Sequence, residues 1–317
     1  MDEGSLTLGI DLGGTNARAA VVDAAGHVLA SARLPLSERT PSAVVDVVCA
    51  AAHLALQSAQ RDVRGCGVGV AGQLRGETGV VAVAPNLGWR DVPFGKLLQE
   101  RLGYSVRVVN DLSAAAWGEI QVGTARGASE VLTVFVGSGV GSAIVTHGRL
   151  VSGAQGFAGE LGHVKVVRDG RLCGCGERGC LEAYVGGHAL LAQMKEALLG
   201  DVPTLLREKV KGDLTKLSAA VLEEAALEGD AVAKDIYERA AGHLGLAVAN
   251  QVTVLNPAHL VLGGGVLSHC PHLRERVGEA VECFSSHTSR EGLKISPAAL
   301  RDDSGIVGAA LLARELR

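Results

Sequence analysis

Aromatic side chains are nearly missing: two tryptophans, three tyrosines and four phenylalanines stand in 317 residues. So few rings exclude a base-stacking surface of the kind that single-stranded nucleic acid requires. An excess of positive charge is missing as well. The 30 Lys and Arg are outnumbered by 34 Asp and Glu, for a formal net charge of -4, so no basic field draws the chain to nucleic acid or anionic lipid. A clean apolar run is also lacking. The longest uncharged stretch, Val131 to Gly148, is broken at its centre by Gly137, Ser138, Gly139, Gly141 and Ser142, which suits two short strands and a turn better than a membrane span. The start, MDEGSLTLGID, carries no basic n-region, and a secretory signal is not expected. Cysteines number 7, an odd count, which argues against a disulfide framework and for a reduced, cytoplasmic location. Pro- or Ser-rich linkers do not occur.

Glycine is what the chain has in excess: 43 residues with no Gly-X-Y period, a sign of tight turns and close backbone approaches. With 47% hydrophobic and 20% charged residues the chain is an ordinary globular one, of one large or two ordinary domains. Its core must be built from Val, Leu, Ala and Ile.

Apolar runs at Ser5–Leu12 and Ala17–Val22 flank the turn Asp11–Asn16 and read as a hairpin. Helical spacing runs from Pro41 to Gln60, from Phe94 to Leu102, from Leu112 to Ile120, from Leu181 to Leu199 and from about Ala231 to Val254. Further helices are expected near His272–Val281 and Gly305–Leu316, and strands at Cys66–Ala71, Val80–Ala84, Val106–Val109 and Leu260–Leu262. Interleaved strands and helices make the class α/β. LGIDLGGTNARAAVV and TVFVGSGVGSAIVT follow one plan, strand, glycine turn, strand, which suggests a duplicated fold or, more blandly, two unrelated hairpins.

Four constellations bear chemistry. The turn Asp11-Leu12-Gly13-Gly14-Thr15-Asn16 offers backbone N–H groups and a hydroxyl to phosphate, with Asp11 able to hold a phosphate-bound Mg²⁺. It lacks the Gly-Lys-Ser/Thr ending of a Walker loop and is followed by a strand, unlike a dinucleotide fingerprint. Gly137-Ser138-Gly139 is a second such turn, and Gly263 to Gly265, between strand and helix, a third; together they favour nucleotide phosphate. Cys173, Cys175 and Cys180 on a glycine loop, with His163 upstream, have the spacing of a structural Cys₃His zinc site. The remaining Cys49, Cys66, Cys270 and Cys283 read as core thiols. Asn110-Asp111, where a strand gives way to a helix, places a carboxylate to take an alcohol's proton, although capping alone also explains an Asp there. Glu160, His163 and Glu182 could accept hydrogen bonds from sugar hydroxyls; solvated carboxylates are the bland alternative.

Taken together these residues resemble the ROK family (repressors, open reading frames, kinases), in particular its bacterial glucokinases. The resemblance is carried by GIDLGGTNARAAVVD, APNLGW, VVNDLSAAAWGE, VFVGSGVGSAIV, GFAGELGHV, CGCGERGCLEAYV and LVLGGGV, in that order along nearly the whole chain. It implies an actin-like ATPase (ribonuclease H-like, duplicated) fold, two lobes around a cleft, as a homodimer. The small lobe would be residues 1–111 with 303–317 and the large one 112–302, carrying the zinc loop. It implies ATP with Mg²⁺ at Asp11, Gly13, Gly14, Thr15, Asn16, Gly137, Ser138, Gly139, Gly264 and Gly265, and Asp111 as general base. Sugar hydroxyls would meet Asn86, Asn110, Asp111, Glu160, His163 and Glu182, with the backbone of Gly72 nearby; zinc would fall to His163, Cys173, Cys175 and Cys180. Three positions depart from the family pattern: Asn16 where lysine is common, Ala71-Gly72-Gln73 without the usual Pro-Gly, and Ser113 where asparagine is frequent. The function implied is an ATP-dependent hexose kinase, glucokinase first, with mannose, allose, fructose or an N-acetylhexosamine as other sugars. A repressor of the same family would need a DNA-binding domain ahead of Asp11, for which no room is expected. A non-catalytic sugar sensor is opposed by the intact Asp111.

Overall fold

The computed structural model describes residues 6–316; the acidic start and Ser5 lie outside them. The strands are β1 (Thr7–Leu12), β2 (Asn16–Val22), β3 (Val28–Pro35), β4 (Cys66–Val70), β5 (Gln73–Leu74), β6 (Val81–Ala84), β7 (Trp89–Val92), β8 (Val106–Asn110), β9 (Val131–Val136), β10 (Val140–Thr146), β11 (Arg149–Leu150), β12 (His259–Gly263) and β13 (Lys294–Pro297). They form two five-stranded sheets of one design, β3-β2-β1-β4-β8 and β11-β10-β9-β12-β13, and a small sheet β5-β6-β7. In both large sheets a glycine-turned hairpin comes first, an antiparallel strand extends it on one side and two parallel strands on the other. The faint sequence repeat is therefore a repeat of topology.

The helices are α1 (Pro41–Ala59), α2 (Phe94–Leu102), α3 (Asp111–Gln121), α4 (Glu182–Val185), α5 (Gly187–Leu199), α6 (Leu205–Val210), α7 (Ala219–Leu227), α8 (Ala231–Leu255), α9 (Gly265–His269), α10 (Pro271–Phe284), α11 (His287–Arg290) and α12 (Ser304–Ala313). Thr40 caps α1 through Ala43 N–H and Pro41 sits at its first position, a pre-organised start. Although α1 is long and apolar enough to cross a membrane, its Val44, Val45, Val48, Ala51, Ala52 and Ala55 are buried in a core shared with Leu8, Ile10 and Val68. The single helix expected over Leu181–Leu199 is interrupted at Gly186, which joins α4 to α5. A Cβ there would meet the carbonyls of Glu182 and Ser138, each at 3.0 Å. Cys283 is exposed, not a core thiol. Helix α10 buries Leu273, Val277 and Val281, and a residue two past Val281 turns to the opposite side.

The chain divides into two compact units, residues 1–129, 143–159 and 298–317 in one and 130–142 and 160–297 in the other. Relative to the lobes expected from resemblance, the first unit also takes in residues 112–129, 143–159 and 298–302. The reason for α3 is its partner. Helix α12 packs along α3 and over β1 and β4, so close that methyl groups at Gly308, Gly9 or Gly67 would land on the carbonyl oxygens of Ala114, Ile306 and Ala309. These three glycines serve that close approach.

Candidate active site and metal centre

In the first unit Leu12, Val70 and Asn110 lie side by side at the carboxyl ends of three parallel strands. The turn after β1, the Ala71-Gly72 segment after β4 and Asp111 after β8 therefore leave the sheet at one edge, the place where α/β proteins bind ligands. Asp111 stands two strands from the glycine turn, about 10 Å at the usual strand spacing. Within the turn, Gly13 N–H closes onto Asn16 O at 3.1 Å. No acceptor among the described residues meets the N–H groups of Gly14 and Thr15, on a partly exposed corner. Gly14 is also where Asn86, expected from the resemblance on the sugar side, comes in: a Cβ at Gly14 would touch Asn86 Cβ at 2.9 Å. Asp11 faces Arg18 at 3.9 Å. Burial raises the pKa of its carboxyl, while Arg18 and Arg33 act to lower it.

Asn110, not Asp111, caps α3. Its Oδ1 accepts from Leu112 N–H at 3.0 Å and Ser113 N–H at 3.2 Å, while Nδ2 donates to Gly72 O at 3.0 Å. The capping explanation for the carboxylate thus passes to its neighbour. Asp111 sits in the first helical turn, half-buried, its Oδ1 accepting from Leu112 N–H at 3.0 Å, where the helix dipole favours negative charge.

In the second unit the turn Gly137-Ser138-Gly139 joins β9 to β10, and its carbonyls serve the start of α5. Gly187 N–H donates to Gly137 O at 2.8 Å and His188 N–H to Ser138 O at 3.1 Å. The N–H groups of Ser138 and Gly139 have no acceptor among the described residues. Gly264, at φ 86°, lies against the backbone of Val136, where a side chain would not fit; Gly265 opens α9. Two of the three glycine turns thus converge in one unit. Glu182 reaches the same place, its Oε2 accepting from Val140 N–H at 2.9 Å, and it can do so because Gly139 has no side chain.

The four expected zinc ligands come together: one ligand atom each of His163, Cys173, Cys175 and Cys180 lies within 4.8 Å of the others. Cys175 Sγ is 3.7 Å from Cys180 Sγ, and Cys173 Sγ is 3.8 Å from His163 Nδ1. Tetrahedral thiolates about 2.3 Å from zinc stand about 3.8 Å apart, so the donor set fits that ion. His163 turns its other nitrogen, Nε2, to Glu160 at 3.7 Å. Glu182 Oε1 lies 3.8 Å from Cys173 Sγ, so one carboxylate spans the cysteine loop and the glycine turn.

A ROK family model matches residues 7–316. The chain belongs to the ROK family. It is 33% identical over 313 residues to a glucokinase of Streptomyces coelicolor, with 98% of each chain covered. A glucokinase of Thermotoga maritima is 33% identical over 315 residues, covering 97% of each. Among solved structures, a ROK family glucokinase from Streptomyces griseus in complex with glucose and AMPPNP matches with a TM-score of 0.84 at 33% identity, covering 98% of this chain and 100% of that one. The repeated sheet of this ROK chain is that of the actin-like ATPase fold.

Two groups were not singled out from sequence. Arg18 lies opposite Asp11 in the β1–β2 register and donates to Asp302 O at 2.7 Å and Asp303 Oδ1 at 2.5 Å, tying the sheet to the start of α12. Glu119 is wholly buried and accepts from the N–H groups of Thr124, Ala299 and Leu300 and from Ser304 Oγ, at 2.8–3.3 Å. A carboxylate on the apolar side of a helix was the only signal for it.

Proposed function

We propose that this ROK chain is an ATP-dependent hexose kinase, glucose its first substrate, that moves the γ-phosphoryl group to the sugar 6-hydroxyl. What carries the reading is the edge where the β1 turn, Gly72 and Asp111 leave one sheet together. There Asp111 accepts the proton of the 6-hydroxyl as its oxygen attacks phosphorus. The unpaired N–H groups of Gly14 and Thr15, and separately those of Ser138 and Gly139, are donors suited to phosphate oxygens. Gly13, Asn16, Gly137, Gly264 and Gly265 shape those corners, and Asn86, Asn110, Glu160, His163 and Glu182, with Gly72 O–Asn110 as a brace, are the proposed sugar contacts.

Mg²⁺, when bound, offsets the phosphate charge, and Asp11 is the residue proposed to hold it. Zinc on His163, Cys173, Cys175 and Cys180 would serve structure. His163 would give Nδ1 to the metal and keep Nε2, beside Glu160, for a hydroxyl. A homodimer and a cytoplasmic location complete the reading; the free cysteines suit a reducing compartment.

A coupled assay with ATP against glucose, mannose, allose, fructose and N-acetylhexosamines tests it. Glucose is expected to give the highest kcat/KM. A preference for another hexose corrects the sugar, and no turnover with any of them overturns the kinase reading.

A further inference from the structure

Lys165 follows His163 by two residues, and the backbone turns that spacing into contact. Val166 N–H donates to Gly179 O and Leu181 N–H to Val164 O, both at 2.9 Å. These bonds set Lys165 opposite Cys180 in an isolated antiparallel bridge. Residues opposed in this way, flanked by ladder bonds and not joined by them, have the closest backbones and project their side chains to one side. The Lys165 ammonium accordingly donates to Cys180 Sγ at 3.1 Å and to His163 O at 3.2 Å, and it also meets the Glu177 carboxylate. Its three donors thus have three acceptors. Two of those acceptors belong to residues of the proposed zinc set, which is complete without Lys165.

Three thiolates and a neutral imidazole around a divalent cation leave one negative charge in excess. We propose that Lys165 is the counter-cation and positioning residue of the cysteine loop, its ammonium seated on Cys180 Sγ, the His163 carbonyl and Glu177 so as to shield the metal-bound thiolate from oxidation. This rests on the zinc reading above. The route for an oxidant is Cys175, which is exposed and 3.7 Å from Cys180 Sγ. Hydrogen peroxide takes two electrons from the Cys175 and Cys180 thiolates. An S–S bond forms, the O–O bond breaks, its oxygens leave as two waters after taking up two protons, and zinc is released. A charge-assisted hydrogen bond draws electron density from the Cys180 sulfur and lowers its nucleophilicity, so Lys165 slows that loss.

The test uses the full chain, with its zinc content measured first. Excess hydrogen peroxide is added and the freed zinc is followed with a chromophoric chelator. Lys165→Met is expected to release zinc about threefold faster than wild type or more, and Lys165→Arg, which keeps a charged donor, to stay within about twofold of it. Glu177→Gln leaves the ammonium on Cys180 and should fall between wild type and Lys165→Met. Before peroxide, zinc content should be alike in all four, which separates shielding from a general loosening of the loop. Equal release from wild type and Lys165→Met overturns the proposal, and so does faster release from Glu177→Gln than from Lys165→Met. If Lys165→Met does not accumulate with zinc, Glu177→Gln against Lys165→Arg decides: faster release from the first supports the proposal, and equality overturns it. A wild type without stoichiometric zinc overturns the metal reading and this inference with it, whereas kinase activity in the hexose assay is read separately.

Discussion

Side chain by side chain, the strongest contrast is between neighbours. Asn110 commits its amide to the α3 cap and to Gly72 O, whereas Asp111, one residue on, is not the capping residue and accepts from Leu112 N–H. Asp111→Asn is expected to keep hexose affinity and lower kcat by about 10²-fold or more; unchanged turnover, measured with hexose binding by calorimetry, removes the base assignment. Asp230 is the opposite case, a carboxylate used wholly for structure. It caps α8 through Ala233 N–H at 2.7 Å and holds the start of α6 through Leu205 N–H at 2.7 Å and Thr204 Oγ1 at 2.9 Å. Burial alone would raise its pKa; the hydrogen bonds from Ala233, Leu205 and Thr204 outweigh that and hold it below the usual carboxylate value. A carboxyl depressed on folding contributes stability above its unfolded pKa and loses it as pH falls through the folded one. The stability gap between wild type and Asp230→Asn should therefore narrow as pH drops below about 4. A gap in the melting temperature that stays constant from pH 7 to pH 3 contradicts this.

Among the elements, helix α12 shows what the glycines are for. Gly308→Ala would drive a methyl into the Ala114 carbonyl of α3, and overpacking of this kind costs about 1–3 kcal/mol or more. On the outer side of α8, Gly242 has open space around its would-be Cβ. Gly242→Ala should stabilise by about 0.5–1 kcal/mol, through helix propensity alone. Chemical denaturation of the two variants checks the pair: shifts of the same sign would mean that close approach is not what the glycines serve. The cysteine loop makes a second prediction at this scale. Removing zinc should free His163 from Nδ1 anchoring and raise the hexose KM by about tenfold, with kcat at saturating sugar little changed. Full sugar affinity in protein verified to be metal-free rules out that coupling.

For the molecule as a whole, a hexose that binds only the folded chain must stabilise it by mass action. At about 100 times its dissociation constant the gain is about 2.7 kcal/mol, and Asp111→Asn should show the same gain. Calorimetric melting with and without sugar measures it; no upward shift with any hexose contradicts a sugar site. At this scale the pattern of residues was legible to different depths. The hairpins around Gly13-Gly14 and Gly137–Gly139 and the helices from Pro41 and Ala231 were evident, because turn glycines and 3.6-residue periodicity are local signals. Strands β3 and β13 lie at sheet edges with alternating or partial exposure, a weak pattern that sequence alone does not separate from loop. Helices α4 and α5 read as one because the break at Gly186 answers to carbonyls of Glu182 and Ser138, the latter distant in sequence.

The amino-acid order by itself determined the class of the fold, the glycine turns and the four-ligand cluster, which rest on residue types at short spacing, and the family, which rests on motifs in order along nearly the whole chain. Only the tertiary structure decided that Asn110 caps and Asp111 does not. The same holds for Glu182 bridging the cysteine loop to the Gly137–Gly139 turn, for Lys165 reaching Cys180, and for Glu119 being spent on the return of the chain at Ala299 and Leu300. Apart from the local Asn110 cap, those outcomes depend on which groups arrive beside a side chain from 9 to 181 residues away, and no local spacing encodes that arrival.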